Sequence, residues 1–237
     1  MTYALRQALA AALLSCALVL PATATDKPEW KLTVGQYLYG DYAGTDLNLR
    51  WQRSASHAWI GGYRDRHFGQ QLRAGADTAL DLGRGWQLQP SLQLASQGFV
   101  GGSLTVQAGT EWYALAGIGR TNLRPYFNLN FDPNDAVTLG VGHQAASGAS
   151  ASLFVVADDR LHTRQRDWHL LTRVPLGPRR LTVDVLRKSG LGDDGYVQGW
   201  GLSVTCDWPH WFLRVARDPY QNFAAVSATR FAAGLRF

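Results

Sequence analysis

From Glu29 onward, apolar and polar residues alternate along the chain. Leu47, Leu49 and Trp51 are interleaved with Asn48, Arg50 and Gln52. Leu104, Val106, Ala108 and Trp112 are interleaved with Thr105, Gln107, Gly109 and Glu111. Leu181, Val183 and Val185 are interleaved with Arg180, Thr182 and Asp184. A period of two is the signature of strands with two unlike faces. Helical spacing is not sustained anywhere in this part of the chain. The pattern predicts strands near 30–40, 44–53, 56–65, 69–81, 85–97, 102–116, 122–132, 135–144, 150–158, 166–175, 179–189, 195–206, 209–217 and 224–237. Both faces look mixed over 56–65 and 150–158, and 98–120 could hold one strand or two. An even number closes a bacterial single-chain barrel, so the count is about fourteen, or twelve.

Alternation alone also fits a soluble sandwich. Three features favour an all-β, transmembrane, antiparallel up-and-down β-barrel. Strands recur at near-regular spacing to the last residue. Many apolar faces begin or end in an aromatic residue (Trp51, Trp86, Trp112, Phe131, Trp168, Trp211), where interfacial girdles sit. The polar face is rich in Gly, Gln, Asn, Arg and Thr, which suits a wet or hydrogen-bonded lumen. An open sheet in lipid would leave edge groups unpaired, so the sheet must close.

The turns divide into two classes. Those placed at one end, Arg53–Ala55, Leu82–Gly85, Gly119–Thr121, Ala145–Ala149, Pro175–Pro178 and Asp207–Pro209, are short and rich in Gly, Pro or small residues. Those at the other end, Asp65–Phe68, Gly98–Gly102, Asp158–Asp167, Ser189–Gly195 and Asp218–Ala224, are longer and more polar. Short periplasmic and long external connections are the outer-membrane arrangement. Residues 1–25 read as a cleaved secretory signal: Arg6, an apolar run from Ala8 to Leu20, then Pro21 and Ala22-Thr23-Ala24. That run falls short of the roughly 18 residues that span a bilayer. Residues 26–237 then form a single barrel domain exported to the bacterial outer membrane. The last strand places Phe231, Leu235 and Phe237 on one face. This resembles the closing-strand signature that the barrel-assembly machinery of Gram-negative bacteria recognises, with strand addition as the mechanism.

The layout resembles the YaiO-like outer-membrane barrels. The resemblance lies in Gly35-Gln36-Tyr37 and Asp41-Tyr42 of the opening strand, in Arg64-Asp65-Arg66-His67-Phe68, and in the terminal strand. It implies an outer-membrane barrel and transfers no catalytic residues.

Charge narrows the functional classes. The whole chain has 23 Lys plus Arg against 18 Asp plus Glu, a formal net charge of +5. The basic residues are spread over alternate strands and form no patch, which argues against nucleic acid. Arg50, Arg73, Asp77, Glu111, Arg124, Arg173, Asp184, Arg214, Arg230 and Arg236 fall on the predicted lumen face. They read either as an anion-selective lining or as a salt-bridged interior that stiffens and fills the barrel. The excess of Arg over acid keeps the pore reading, because unpaired charge needs water. Asp65 and His67 share one outer connection; Asp158, Arg160, His162, Arg164 and Arg166 share another. An Asp–His pair there could activate water in an enzyme acting on lipid A or exported polysaccharide. The basic residues could instead contact lipopolysaccharide, or simply be solvated. No metal spacing, cofactor motif or nucleophile context is present. The expected partners are outer-membrane lipid, lipopolysaccharide and the assembly machinery, with a polysaccharide or small solute as cargo. The expected role is a narrow channel or a structural surface-exposed barrel.

Overall fold

The computed structural model describes residues 29–237 apart from Phe131, so the signal segment expected over 1–25 lies outside the described residues. The strands are β1 (Trp30–Leu38), β2 (Ala43–Arg53), β3 (Ser56–Asp65), β4 (Gly69–Thr78), β5 (Leu80–Gly83), β6 (Trp86–Ala95), β7 (Phe99–Gly109) and β8 (Trp112–Thr121). They continue as β9 (Ala136–Gln144), β10 (Ser150–Asp158), β11 (Arg166–Leu176), β12 (Arg179–Gly192), β13 (Gly195–Asp207), β14 (Trp211–Asp218) and β15 (Ala228–Arg236). β4 and β5 are one stave interrupted at Ala79: β4 pairs with β3 and β6, and β5 continues along β6 with a register shift at Asp81/Gly83. All other neighbours in sequence pair antiparallel, and β1 pairs with β15 from Lys31↔Arg236 to Leu38↔Thr229. The result is a closed barrel of fourteen staves. Trp30 and Phe237 exchange backbone hydrogen bonds of 2.9 and 3.0 Å at the seam.

The two faces of the wall are unlike in the way a lipid solvent demands. Leu47, Ile60, Leu72, Leu92, Leu139 and Val141 point outward and are more than half exposed. Tyr37, Tyr63, Gln71, Asp167 and Lys188 point inward and are buried. A water-soluble sandwich would reverse this. Trp30, Trp51, Trp86, Trp112 and Trp211 ring the end where β1 begins and β15 ends, the termini side, and Trp168, Tyr196 and Trp200 sit toward the opposite end. These two belts bracket the apolar band as interfacial girdles do. Phe131, expected in a girdle, lies outside the described residues.

The stave count agrees with the sequence expectation, but two segments exchange roles. The stretch expected as one strand over 102–116 is two strands, β7 and β8, turning at Thr110-Glu111. The turn expected at Gly119–Thr121 is strand, and 122–132, expected as a strand, belongs to a long connection over 122–135. Its alternating Leu123, Pro125, Phe127 and Leu129 mark an extended chain with two unlike sides. Those sides meet side chains inside the barrel rather than a hydrogen-bonded ladder.

Candidate functional site

Residues 122–135 leave β8 at the end opposite the termini and fold into the lumen. Leu123 begins the descent with a φ of +58°, and side chains satisfy much of the backbone. Gln71 of β4 accepts from Phe127 N (2.8 Å) and donates to Phe127 O (3.0 Å). Gln221 donates to Asn128 O (3.4 Å), and Asn128 caps its own turn by accepting from Asn130 N and donating to Asp132 O. Phe127 stacks on Tyr63 with ring centroids 4.6 Å apart, and Leu129 joins Tyr37, Tyr39, Tyr63 and Ala228 in the buried cluster. A relay runs from Tyr39 OH to Tyr63 OH (2.8 Å), and Tyr63 OH donates to Asp65 (2.7 Å). Gly75 gives this wall room: a Cβ there would meet the Trp59 ring and the Leu92 carbonyl within 2.7 Å.

Ionic contacts hold the far half of the segment. His169 of β11 faces Asp132 through Nε2 (2.7 Å) and Asp184 of β12 through Nδ1 (3.0 and 3.1 Å), and its ring stacks on Phe154. Asp135 accepts from Thr121 N–H and Oγ1 and from the Arg160 guanidinium. Burial opposes its charge, but those donors outweigh it and hold the carboxyl below its ordinary 3.8. Nearby, Lys188 Nζ donates to Asp218 (2.8 Å) and lies 3.9 Å from Asp167, all three buried beneath Phe223.

The segment divides the lumen. On the termini side lie cavities of about 400 and 270 Å³ that share Leu129, Asn130, Arg214 and Arg230. On the other side an outer vestibule of about 310 Å³ is lined by Leu123, Arg124, Leu161 and Asn222. Tyr126 faces both the larger inner cavity and the vestibule. The inner walls carry more cations than acids. Arg73 pairs with Asp46 (2.6 Å) and Arg50 with Asp77 (3.4 Å); Asp132 and Asp184 take His169. Lys31, Arg173, Arg214 and Arg230 line the same cavities and have no ion-pair partner among the described residues. Lys31 Nζ sits 3.9 Å from the Phe212 ring centroid, Arg214 Nε donates to Thr205 (2.8 Å), and Arg230 lies over Tyr37. Unpaired cations in a low-dielectric wall are costly unless water or anions reach them. These cavities are therefore built to be wet.

Seven of the residues assigned from sequence to the lumen face its cavities: Arg50, Arg73, Asp77, Arg173, Asp184, Arg214 and Arg230. Arg236 points inward at the rim and is held by Asp207 and the Trp208 carbonyl. Glu111 stands instead in the β7–β8 turn, mostly exposed and 3.3 Å from His143. Arg124 stands on the inward-folded segment, in the vestibule. Asp46, Asp132, Asp167, His169, Lys188 and Asp218 escaped the sequence list although most share its parity. Asp167, His169 and Arg173 fall on one face of β11 by simple alternation.

The outer-rim candidates do not assemble an acid–base pair. Asp65 accepts the backbone N–H groups of His67 and Phe68, while the His67 ring faces Arg66 and Tyr42. Asp158 caps its own loop through the N–H groups of Arg160, Leu161 and Thr163. His162 and Arg164 adopt left-handed φ angles of +57° and +55° in that loop, and Arg160 is spent on Asp135. Arg166 faces outward on β11. Phe231, Leu235 and Phe237 share the outward face of the closing strand, and Phe237 is 60% exposed.

No family model and no curated protein matches the chain. Solved structures do. The outer membrane protein Omp33 of Acinetobacter baumannii superimposes with a TM-score of 0.58 at 11% identity, covering 89% of this chain and 98% of that one. The NanC porin gives 0.49 at 10% identity over 88% and 98% of the two chains. The likeness to Omp33 is one of fold: a closed antiparallel barrel of the outer-membrane type.

Proposed function

We propose that the chain is a narrow, anion-preferring channel of the bacterial outer membrane, with residues 122–135 setting its bore. The observation that carries this reading is the surplus of unpaired cations, Lys31, Arg214 and Arg230, on one wall of a polar cavity directly beneath that segment. They come from three neighbouring staves, β14, β15 and β1: Arg214 and Arg230 lie within two residues of one another in register, and Lys31 stands nearer the rim of the same cavity. A group of fixed cations on the wall of a narrow bore lowers the barrier for anions and raises it for cations. The signal-like N-terminus, the outward apolar band with two aromatic belts and the Omp33-like fold support the outer-membrane location. Within that class, the layout favours the YaiO-like barrels. On this reading the partners are outer-membrane lipid, the barrel-assembly machinery and a small anionic solute.

The experiment is reversal potential in planar bilayers under a salt gradient. The native barrel gives discrete openings that favour the anion, and K31Q/R214Q/R230Q brings the preference to neutral or reverses it. Silent membranes, or a cation preference in the native protein, overturn the proposal. Silence would favour the second reading, a structural barrel. That reading is supported by the dense anchoring of the segment through Gln71, His169 and Arg160.

A further inference from the structure

The lipid-facing side of the barrel is not uniform. At the end opposite the termini, β11, β12 and β14 each present an outward arginine: Arg166, Arg187 and Arg217. Among the described residues none of the three takes part in an ion pair. Every acid on β11 to β14 (Asp167, Asp184, Asp207 and Asp218) has inward parity, and the nearest others, Asp193 and Asp194, lie in the β12–β13 turn. Arg187 stands in register between Trp168 and Trp200, which are 44% and 68% exposed. Its guanidinium lies over the Trp200 ring and donates to Gln198 (2.7 Å) and to the Lys188 and Gly199 carbonyls. Among the described residues Arg217 donates only to Thr229 (2.9 Å). Below this row, toward the end where β1 begins, β11, β13 and β14 turn apolar at Leu170, Leu202, Leu213 and Val215. Elsewhere at this level Arg120 is held by Asp159, and Arg64 on β3 faces outward with no ion-pair partner among the described residues.

We infer that this strip docks a membrane lipid whose headgroup carries two separated phosphates, a diphosphorylated glycolipid. Two constraints select that occupant. The site joins guanidiniums above to an exposed apolar face below, so the ligand carries anionic groups at one end and acyl chains at the other. Three inter-strand spacings, with a register offset of two residues between Arg166 and Arg187 and again between Arg187 and Arg217, make the row about 20 Å long, more than one phosphate spans. Guanidinium matches phosphate with paired, charge-assisted hydrogen bonds, and the tryptophans seat the glycolipid backbone at the interface. The inference is independent of whether the lumen conducts.

The test is lipid retention by the purified barrel in detergent, read by native mass spectrometry with diphosphoryl lipid A, monophosphoryl lipid A and phosphatidylcholine as probes. Diphosphoryl lipid A is expected to stay bound in preference to both others, and R166Q/R187Q/R217Q to lower its retention about tenfold or more. R64Q, an outward arginine on another wall, is expected to leave it unchanged. Heat-modifiable gel migration checks that each variant is folded, and R187Q alone serves if the triple variant fails that check. Equal retention of the mono- and diphosphoryl forms, retention unaffected by the strip substitutions, or an equal loss in R64Q would overturn the inference.

Discussion

His169 shows how much a single side chain carries in this barrel. Both ring nitrogens face carboxylates, Asp132 on one side and Asp184 on the other, at 2.7 to 3.1 Å. Each nitrogen is within hydrogen-bond distance of a carboxyl oxygen, so one ring clamps two carboxyl side chains from different parts of the chain. It ties the inward-folded segment to β11 and β12. D132N keeps the size and removes the charge. The expected result is a segment cut faster by protease and, in bilayers, larger and noisier openings; unchanged traces and cutting would exclude this tie. Asp135 makes a different prediction. Its folded carboxyl lies below the ordinary 3.8, so its contribution is complete above that value and is lost as pH falls through the lower folded one. At neutral pH, D135N is expected to lower the heat-modification temperature, by an amount matching about 1–3 kcal/mol for a charged hydrogen-bonded group. The difference from the native barrel should close below pH 3.8. A difference independent of pH would deny the carboxylate that role.

Among the elements, residues 122–135 decide what the barrel can pass. Replacing 123–130 with a short Gly-Ser linker removes no ladder hydrogen bond, since none of these residues lies in a strand. The barrel should still form and migrate as a heat-modifiable species, while its conductance rises severalfold. Failure to form would mean that the segment is needed to hold the wall. This element is also where reading the sequence met its limit. Alternation reports that an extended chain has two unlike sides, not that its backbone is paired with a neighbour. Phe127 and Leu129 alternate because one side packs on Tyr63 and Tyr39 and the other meets the lumen. The cue available was chemical: Asn122, Pro125, Asn128, Asn130 and Pro133 suit side-chain capping and a broken ladder better than a stave. Over 98–120, where the pattern left one strand or two open, alternation runs through Gly109-Thr110-Glu111 and hides the tight turn between the two strands. By contrast β3 and β10, whose faces look mixed in sequence, occupy 56–65 and 150–158 as read. Parity in a stave is rigid. It placed Arg50, Arg73, Arg214 and Arg230 on the lumen face, yet it could not tell which cations would find a carboxylate across the bore. That depends on which staves closure brings together.

Closure is the property of the whole molecule on which the rest depends, and it is completed by its most distant contact. β1 and β15 lie at opposite ends of the described chain and meet in full register only when every intervening stave is in place. The entropy of closing such a loop is offset by a whole strand of ladder bonds, with backbone bonds between Trp30 and Phe237 at its edge. Phe237 has two separable duties. As a seam residue it contributes those bonds, and its ring is exposed outward at the rim. As the last residue of the closing strand it is the group that the assembly machinery is expected to read. Deleting it tests both. Loss of the seam bonds alone costs about 1 kcal/mol per bond, a small fraction of a fourteen-stave ladder, so refolding into detergent should give nearly native yields of the heat-modifiable form. Loss of the recognition group should instead reduce the assembled barrel in cells severalfold, with unassembled chain accumulating in the periplasm. F237Y, which keeps an aromatic ring, should restore most of the cellular yield. Equal yields in cells for the native and shortened chains would remove the recognition duty. A matching loss in detergent would reduce it to seam stability.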